Sequence, residues 1–285
     1  MNINQVLEEL DKLFQEKKIK EVEPYLIHQL ETATQEKDYG AVLTILNEQI
    51  GYYRSISKFP EAMAALKQAK DCIWQMDLSG TEHEATTLLN GATALRAAEA
   101  YEEAMKEYET VEKIYQNTID EFDYRFASLY NNMSILYTAL EQYALAAECL
   151  QKALRVLEHL ENSQIEQAIT YTNMALNYNK MQEKELKNQA LTKALSLFET
   201  YADNKDAHYA AALSALAGAY FEMGELMEAA RTYQRVCEDI RSYFGENLPY
   251  AVSLENLAVV YRTMGDMDQA EILMNQAERI RRELQ

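Results

Sequence analysis

Glycine and proline are scarce in this chain of 285 residues, which contains 8 glycines and 3 prolines. Average proteins contain both residues at clearly higher frequency. Since glycine and proline are the residues that most often punctuate helices and form tight turns, their scarcity leaves room for few turns and little sheet. We therefore expect an all-α fold.

Cysteines and long apolar runs are also few. Cys72, Cys149 and Cys237 are far apart and odd in number, which argues against a disulfide framework and favours a reducing compartment. No run of about 18 apolar residues occurs, so no membrane-spanning helix is expected. The N-terminal segment has the pattern of an amphipathic helix rather than of a leader peptide. These features predict a cytoplasmic protein.

Basic residues are outnumbered: 27 lysines and arginines stand against 46 acidic residues, for a net charge of −19. Binding to phosphates requires a basic surface, and anionic membranes repel an acidic one. We therefore expect neither nucleic acid nor membrane as a partner. Two interpretations of the charge remain open, since it keeps a long helical protein soluble and would also favour basic partners.

Motifs of known catalytic and metal sites are missing. The sequence contains no GxSxG, P-loop, GxGxxG or HExxH pattern. The four histidines lie in different segments without a second ligand three or four residues away: His28, His83, His159 and His208. Pairs of carboxylates are numerous, but they are typical of solvated helix faces. We expect a protein without enzyme activity, metal or cofactor.

Internal repetition is the strongest positive signal. The segment ALAGAYFEMGELMEA at 215–229 recurs 41 residues later as NLAVVYRTMGDMDQA at 256–270. Residues equivalent to its tyrosine recur at intervals of 41–42: Tyr53, Leu95, Tyr137, Tyr178, Tyr220 and Tyr261. Six residues after each, a second helix is predicted to begin: Phe59, Tyr101, Tyr143, Lys184, Leu226 and Met267. Each unit thus predicts two amphipathic helices.

Small residues recur inside the second helices. The position three residues after each predicted start is alanine in five units: Ala62, Ala104, Ala146, Ala229 and Ala270. Lys187 is the exception in the remaining unit. Alanine at a fixed position allows the backbones of paired helices to approach closely.

These residues resemble the tetratricopeptide repeat. The similarity is carried in one unit by Leu216, Ala217, Tyr220, Gly224, Ala229 and Tyr233, and in the next by Leu257, Ala258, Tyr261, Gly265 and Ala270. The standard repeat has about 34 residues, and the longer units here resemble the kinesin-light-chain type. The resemblance implies a right-handed α-solenoid of about seven antiparallel helix pairs.

Six repeats account for residues 38–285, and residues 1–37 are predicted to form a degenerate seventh with helices near 2–17 and 22–36. The register of that unit stays open. Alignment of Pro24 with Pro60 gives a step of 36 residues, whereas alignment of Ile19 with Phe59 gives 40. Since no linker or low-complexity segment interrupts the pattern, we expect a single domain over 1–285.

Asparagine recurs on the side of the first helices that faces away from the predicted core. If the Tyr137 position is numbered eleven, position six is asparagine in four of six units: Asn90, Asn132, Asn173 and Asn256. At about 100° per residue, position six points nearly opposite the predicted core. Asparagine is a poor helix former, so local helix stability does not explain it.

Two interpretations of this row remain open. The resemblance implies that first helices line the concave groove of the solenoid, where carboxamides would pair with the backbone of an extended peptide. A ladder of asparagines joining neighbouring helices would show the same period.

Further residues are predicted on the same surface: Thr86, Ser128, Asn131, Thr172, Asn179, Lys180, Glu255, Arg54, Arg96 and Arg262. The lysine and three arginines occupy positions twelve or thirteen. They would bind partner carboxylates, or they are ordinary cations favoured by the helix dipole. The carboxylate clamp of the family, with cations at fixed sites in consecutive repeats, is not cleanly matched.

The sequence therefore predicts a non-catalytic scaffold that binds a protein or peptide of unknown identity. One alternative is a regulatory protein that senses a peptide, although residues 1–37 are too short and too acidic for a DNA-binding helix-turn-helix. The other alternative is self-assembly into a homodimer or larger homo-oligomer.

Overall fold

The computed structural model describes residues 1–16, 18–200 and 207–283, without the side chains of residues 15, 207, 208 and 283. In these ranges the chain forms fourteen helices and no strand. None of the described helices is long and apolar enough to span a membrane. The helices are α1 (Ile3–Gln15), α2 (Ile19–Gln35), α3 (Tyr39–Ser55), α4 (Phe59–Gln75), α5 (Glu82–Ala97), α6 (Tyr101–Thr118), α7 (Tyr124–Ala139), α8 (Tyr143–Leu157), α9 (Gln164–Lys180), α10 (Lys184–Thr200), α11 (Ala207–Glu222), α12 (Leu226–Phe244), α13 (Leu248–Met264) and α14 (Met267–Glu283).

The predicted all-α repeat architecture is confirmed. The six second helices, α4, α6, α8, α10, α12 and α14, begin at the six residues predicted from the sequence. The N-terminal pair, α1 and α2, forms the additional repeat predicted for residues 1–37. Its second helix, α2, begins at Ile19, 40 residues before Phe59. Pro24 therefore lies inside α2 and does not mark its start. The helix expected near residue 22 thus begins three residues earlier.

Two compact units make up the chain, Met1–Leu136 and Tyr137–Gln285, and each is described by itself. In the first unit α4 packs against both α3 and α5, and α3 also lies beside α5. In the second unit α12 packs in the same way against α11 and α13, while α9 lies beside α11. In each unit a second helix, α4 or α12, therefore fills the space between consecutive first helices. The single domain over 1–285 stays a prediction.

The small position of the second helices is buried throughout. The five predicted alanines are at most 2% exposed: Ala62, Ala104, Ala146, Ala229 and Ala270. Lys187, the exception, is also buried, and its ammonium group donates to Glu225 Oε1 at 2.9 Å. A buried charge is tolerated when a partner of opposite sign compensates for lost hydration. This ion pair explains how a lysine occupies an alanine position.

The same turn ends the first helix of every one of the six repeats. The fourth residue after position eleven has a left-handed backbone in each: Ser57, Glu99, Glu141, Gln182, Gly224 and Gly265. The next amide donates to the carbonyl of position eleven, as from Lys58 to Tyr53 at 2.9 Å and from Gln142 to Tyr137 at 2.8 Å. This is a Schellman motif. The carbonyl of position eleven therefore accepts this hydrogen bond in every repeat, in addition to the side chain that position eleven contributes to the core.

All three cysteines, Cys72, Cys149 and Cys237, are buried, and none of them forms a disulfide bond. Burial raises the pKa of the Cys237 thiol to about 12. The thiols therefore serve as small apolar side chains in the core.

Enlarging the small position should destabilise the repeat. Ala229 is fully buried, so we expect Ala229→Leu to lower the free energy of unfolding by about 1–3 kcal/mol through overpacking. Denaturant titration followed by circular dichroism measures this change. Ala144→Leu on the exposed side of α8 is the matched control, with an expected effect within about 0.5 kcal/mol. Equal stability of the two variants would contradict close packing at Ala229.

Candidate binding face on the first helices

The fourteen predicted site residues all lie on first helices, and we call them the first-helix face. The first unit carries Arg54, Thr86, Asn90, Arg96, Ser128, Asn131 and Asn132, and the second carries Thr172, Asn173, Asn179, Lys180, Glu255, Asn256 and Arg262. The four asparagines of the predicted row are all partly buried. Asn90, Asn132 and Asn256 nevertheless differ in their hydrogen bonds.

Asn90 joins two neighbouring helices. Its Nδ2 donates to Asn47 Oδ1 of α3 at 3.1 Å. Asn47 Nδ2 in turn lies 3.0 Å from both Thr87 Oγ1 and the carbonyl oxygen of Leu43. This network ties α3 to α5 and gives the ladder interpretation a structural basis at Asn90. A carboxamide has two N–H donors and one acceptor oxygen, so Asn90 retains unused hydrogen-bonding capacity.

The asparagines of α7 form bonds within their own helix. Asn132 Nδ2 donates to the carbonyl of Ser128 at 3.0 Å, and Asn131 Nδ2 donates to that of Ala127 at 3.1 Å. Such bonds fix the rotamer without joining helices. For Asn132 this bond leaves a carboxamide oxygen and one N–H for other partners.

Asn256 of α13 differs from Asn90 and from the asparagines of α7. Its carboxamide is partly exposed and makes no hydrogen bond within the part of the chain that the structure describes. The neighbouring Glu255 is fully engaged, because Arg281 Nε and Nη2 donate to its two carboxylate oxygens at 2.7 and 2.8 Å. These hydrogen bonds hold the pKa of Glu255 below its usual value. Glu255 therefore contributes to helix pairing, whereas Asn256 has its full hydrogen-bonding capacity.

The predicted cations lie in the last turns of their helices: Arg54 in α3, Arg96 in α5, Lys180 in α9 and Arg262 in α13. This placement matches the helix-dipole interpretation. Among the described residues, no carboxylate lies within ion-pair distance of any of the four. The Nε of Arg96 is buried without a hydrogen-bond partner in the same part of the chain.

The two threonines use their hydroxyl groups inside the fold. Thr86 Oγ1 donates to the carbonyl of Glu82 at 3.0 Å, and the buried Thr172 donates to that of Ala168 at 2.8 Å. The exposed Thr86 keeps the acceptor capacity of its hydroxyl oxygen, whereas the buried Thr172 offers little surface to a partner.

Metal ligands are not clustered in the described ranges, where no group of three or more His, Cys, Asp or Glu side chains could hold an ion. The side chain of His208 lies outside the described residues.

Glu48 occupies position six in the first repeat, where four other repeats have asparagine. It is partly buried on α3. Burial is the main cause that raises its pKa, and the negative charge of Asp11 on α1 adds to the effect. Ionised Glu48 therefore destabilises this part of the first unit.

The link between Asn47 and Asn90 can be measured by a double-mutant cycle. We expect Asn47→Ala and Asn90→Ala each to cost about 0.5–1.5 kcal/mol of unfolding free energy. The double variant should cost less than the sum by about 0.5 kcal/mol or more, because the two residues share one bond. Asn117→Ala, whose amide bonds only within α6, should be additive with Asn90→Ala. Additivity of Asn47 with Asn90 would contradict the ladder.

Glu48→Gln should stabilise the protein in a pH-dependent way. Below the ordinary glutamate pKa of about 4.3, the carboxyl group is protonated in both folded and unfolded chains and imposes no penalty. Above its raised folded-state pKa, the penalty is complete. Glu48→Gln should therefore raise the thermal midpoint at pH 7 and leave it unchanged near pH 3.5. Glu109→Gln on the exposed side of α6 is the control, and an equal gain at both pH values would disprove the charge effect.

Two stretches of the chain match family models described as tetratricopeptide repeat, residues 126–163 and 208–283. No curated protein sequence matches the chain. Similar solved structures include BtubC (BKLC) from P. vanneervenii, with 18% identity over 84% of this chain and 92% of that chain and a TM-score of 0.54. A Rap protein complexed with competence and sporulation factor is 14% identical, with 99% and 77% coverage and a TM-score of 0.59. The apo form of the quorum sensor NprR from B. thuringiensis is 13% identical, with 98% and 87% coverage and a TM-score of 0.56.

At these identities the structural similarity establishes the fold alone. The two family matches fall on repeats whose helix boundaries, buried alanine and helix-ending turn recur along the chain. The chain therefore contains tetratricopeptide repeats at residues 126–163 and 208–283, and its other described helices continue the same repeat pattern.

Proposed function

We propose that this protein is a non-catalytic scaffold that binds an extended protein or peptide segment on its first-helix face. The tetratricopeptide repeat fold supports a repeat scaffold with protein or peptide partners. The observation that carries the proposal is the unused hydrogen-bonding capacity of Asn90, Asn132 and Asn256. Asn256 has no partner among the described residues, and Asn90 and Asn132 each use one N–H.

A carboxamide suits the capture of an extended main chain. It presents a donor and an acceptor side by side, which match the C=O and N–H groups of a peptide that has no internal hydrogen bonds. Because such bonds involve the partner's main chain, they tolerate many side-chain sequences. A row at one repeat position would thus hold a segment, and the surfaces beside it would select the sequence.

The helix-terminal cations add local positive charge to an acidic protein. Arg54, Lys180 and Arg262 are exposed and have no ion-pair partner in the described part of the chain. In this proposal they bind carboxylates of the partner, such as its C-terminus. The net charge of −19 would at the same time disfavour strongly acidic partners.

A peptide-sensing regulatory role is the second candidate. It is favoured by fold similarity to a Rap protein complexed with competence and sporulation factor and to the quorum sensor NprR, over 99% and 98% of this chain. A sensor should change shape when its peptide binds. Bound peptide should then raise the thermal midpoint and compact the X-ray scattering profile, whereas a static scaffold would show only the thermal shift.

Partner capture should depend on the asparagine row. We expect the triple variant of Asn132, Asn173 and Asn256 to alanine to lose partners that the wild type retains from lysate of the source cells, as identified by mass spectrometry. Asn90 is left intact because it supports the fold through Asn47. The matched control replaces Asn117, Asn188 and Asn275, three exposed asparagines on second helices.

Both triple variants must melt like the wild type for the comparison to be valid. Partners lost only from the first variant support binding at the row. Partners retained equally by both variants would contradict the proposal and place the interaction on another surface.

A further inference from the structure

A cavity of about 290 Å³ lies in the second unit between α11, α12 and α13. Ala211 and Ser214 of α11 form one wall, Val252 and Ser253 of α13 the other, and Ile240 and Phe244 of α12 lie between them. None of the nine lining residues is charged, which is unusual on a chain with 73 charged side chains, 46 acidic and 27 basic. The cavity is thus an uncharged site where α11, α12 and α13 meet.

Helix spacing and small side chains create this cavity. In the same unit the first helices α9 and α11 pack side by side, whereas α11 and α13 make few direct contacts among the described residues. Ala211 and Val252 are both at position two of their helices, and their side chains do not fill the gap. Phe244 and Val252 remain 44% and 39% exposed, so apolar surface is left in water and would gain free energy on being covered.

A free polar group lies beside the cavity. Asn256 follows Val252 by four residues and therefore lies on the same side of α13, about 5–6 Å away between Cβ atoms. Its carboxamide has no hydrogen-bond partner in the described part of the chain. An extended peptide advances about 3.3 Å per residue, so a side chain placed in the cavity brings the next main-chain groups within reach of Asn256.

We propose that this cavity binds one bulky apolar side chain of an extended peptide, of leucine, methionine or phenylalanine type, whose neighbouring residues are neutral or basic. The volume equals that of about ten water molecules at about 30 Å³ each, which suits one such side chain with part of its main chain. The uncharged lining selects an apolar group, and the net charge of −19 favours lysine or arginine over acidic neighbours. The inference rests on the proposed binding function and identifies the chemistry of its ligand.

The test begins with a phage-displayed library of random dodecapeptides selected on the full chain. The selected consensus is synthesised with a fluorescent label, and its Kd is measured by fluorescence anisotropy. Ala211→Leu fills the cavity from an exposed position, and Ala97→Leu, exposed at the end of α5, is the matched control. Val252→Glu places a charge at the cavity and replaces Ala211→Leu if that variant melts below the wild type.

We expect a consensus with one large apolar position flanked by neutral or basic residues. Ala211→Leu, or Val252→Glu in its place, should weaken binding at least tenfold, Ala97→Leu should leave it unchanged, and alanine at the apolar peptide position should weaken it at least tenfold. If the peptides bind the Ala211→Leu and Val252→Glu variants with wild-type affinity, the proposal that the cavity binds the peptide side chain is wrong. If the same peptides lose affinity for the variant of Asn132, Asn173 and Asn256, the proposed function survives this failure.

Two further outcomes overturn the proposal. If no selected peptide binds the chain, both the cavity ligand and the peptide-binding function fail. If sedimentation velocity shows a concentration-dependent dimer that Ala211→Leu abolishes, the cavity holds a second copy of the chain instead of a peptide.

Discussion

Close approach of helices at buried alanines is the contact on which the other features depend. α4 lies against both α3 and α5, and α12 against both α11 and α13, and the small buried side chains of Ala62 and Ala229 allow this close approach. A well-packed interior tolerates little extra volume there. At Lys187, where the chain departs from alanine, an ion pair to Glu225 compensates for the buried charge. Because a first helix packs against second helices through one side, the residues on its other side are not constrained by that contact.

The helix boundaries could be predicted because three local signals coincide: apolar period, a small residue and a helix-ending turn. The start of α2 could not be predicted in this way. Proline usually marks the first turn of a helix, yet Pro24 is the sixth residue of α2. Val22 and Leu26 on either side of it are almost fully buried, so packing of the helix outweighs the one amide hydrogen bond that proline removes. Tertiary contacts of this kind are not visible in a local pattern.

The candidate surface was predictable in position but not in its bonding. Periodicity places Asn90 and Asn256 on one side of their helices, but it does not show that Asn90 pairs with Asn47, 43 residues earlier and one position out of register. The engagement of Glu255 by Arg281 depends in the same way on how two helices cross. The cavity beside Ala211 arises from side-chain volume that is missing and from the separation of α11 and α13, neither of which a residue pattern encodes.

The helix-ending turns bear on the order in which the repeats assemble. Their left-handed residue is glycine only at Gly224 and Gly265, and the four preceding repeats use other residues there, such as Glu99 and Glu141. The left-handed conformation costs a residue with a side chain about 1–2 kcal/mol, and a repeat array can begin folding at any unit and propagate to its neighbours. On the contribution of the turn alone, the barrier to forming a first helix pair is lowest in the last two repeats, so nucleation is favoured at the C-terminal end of the array.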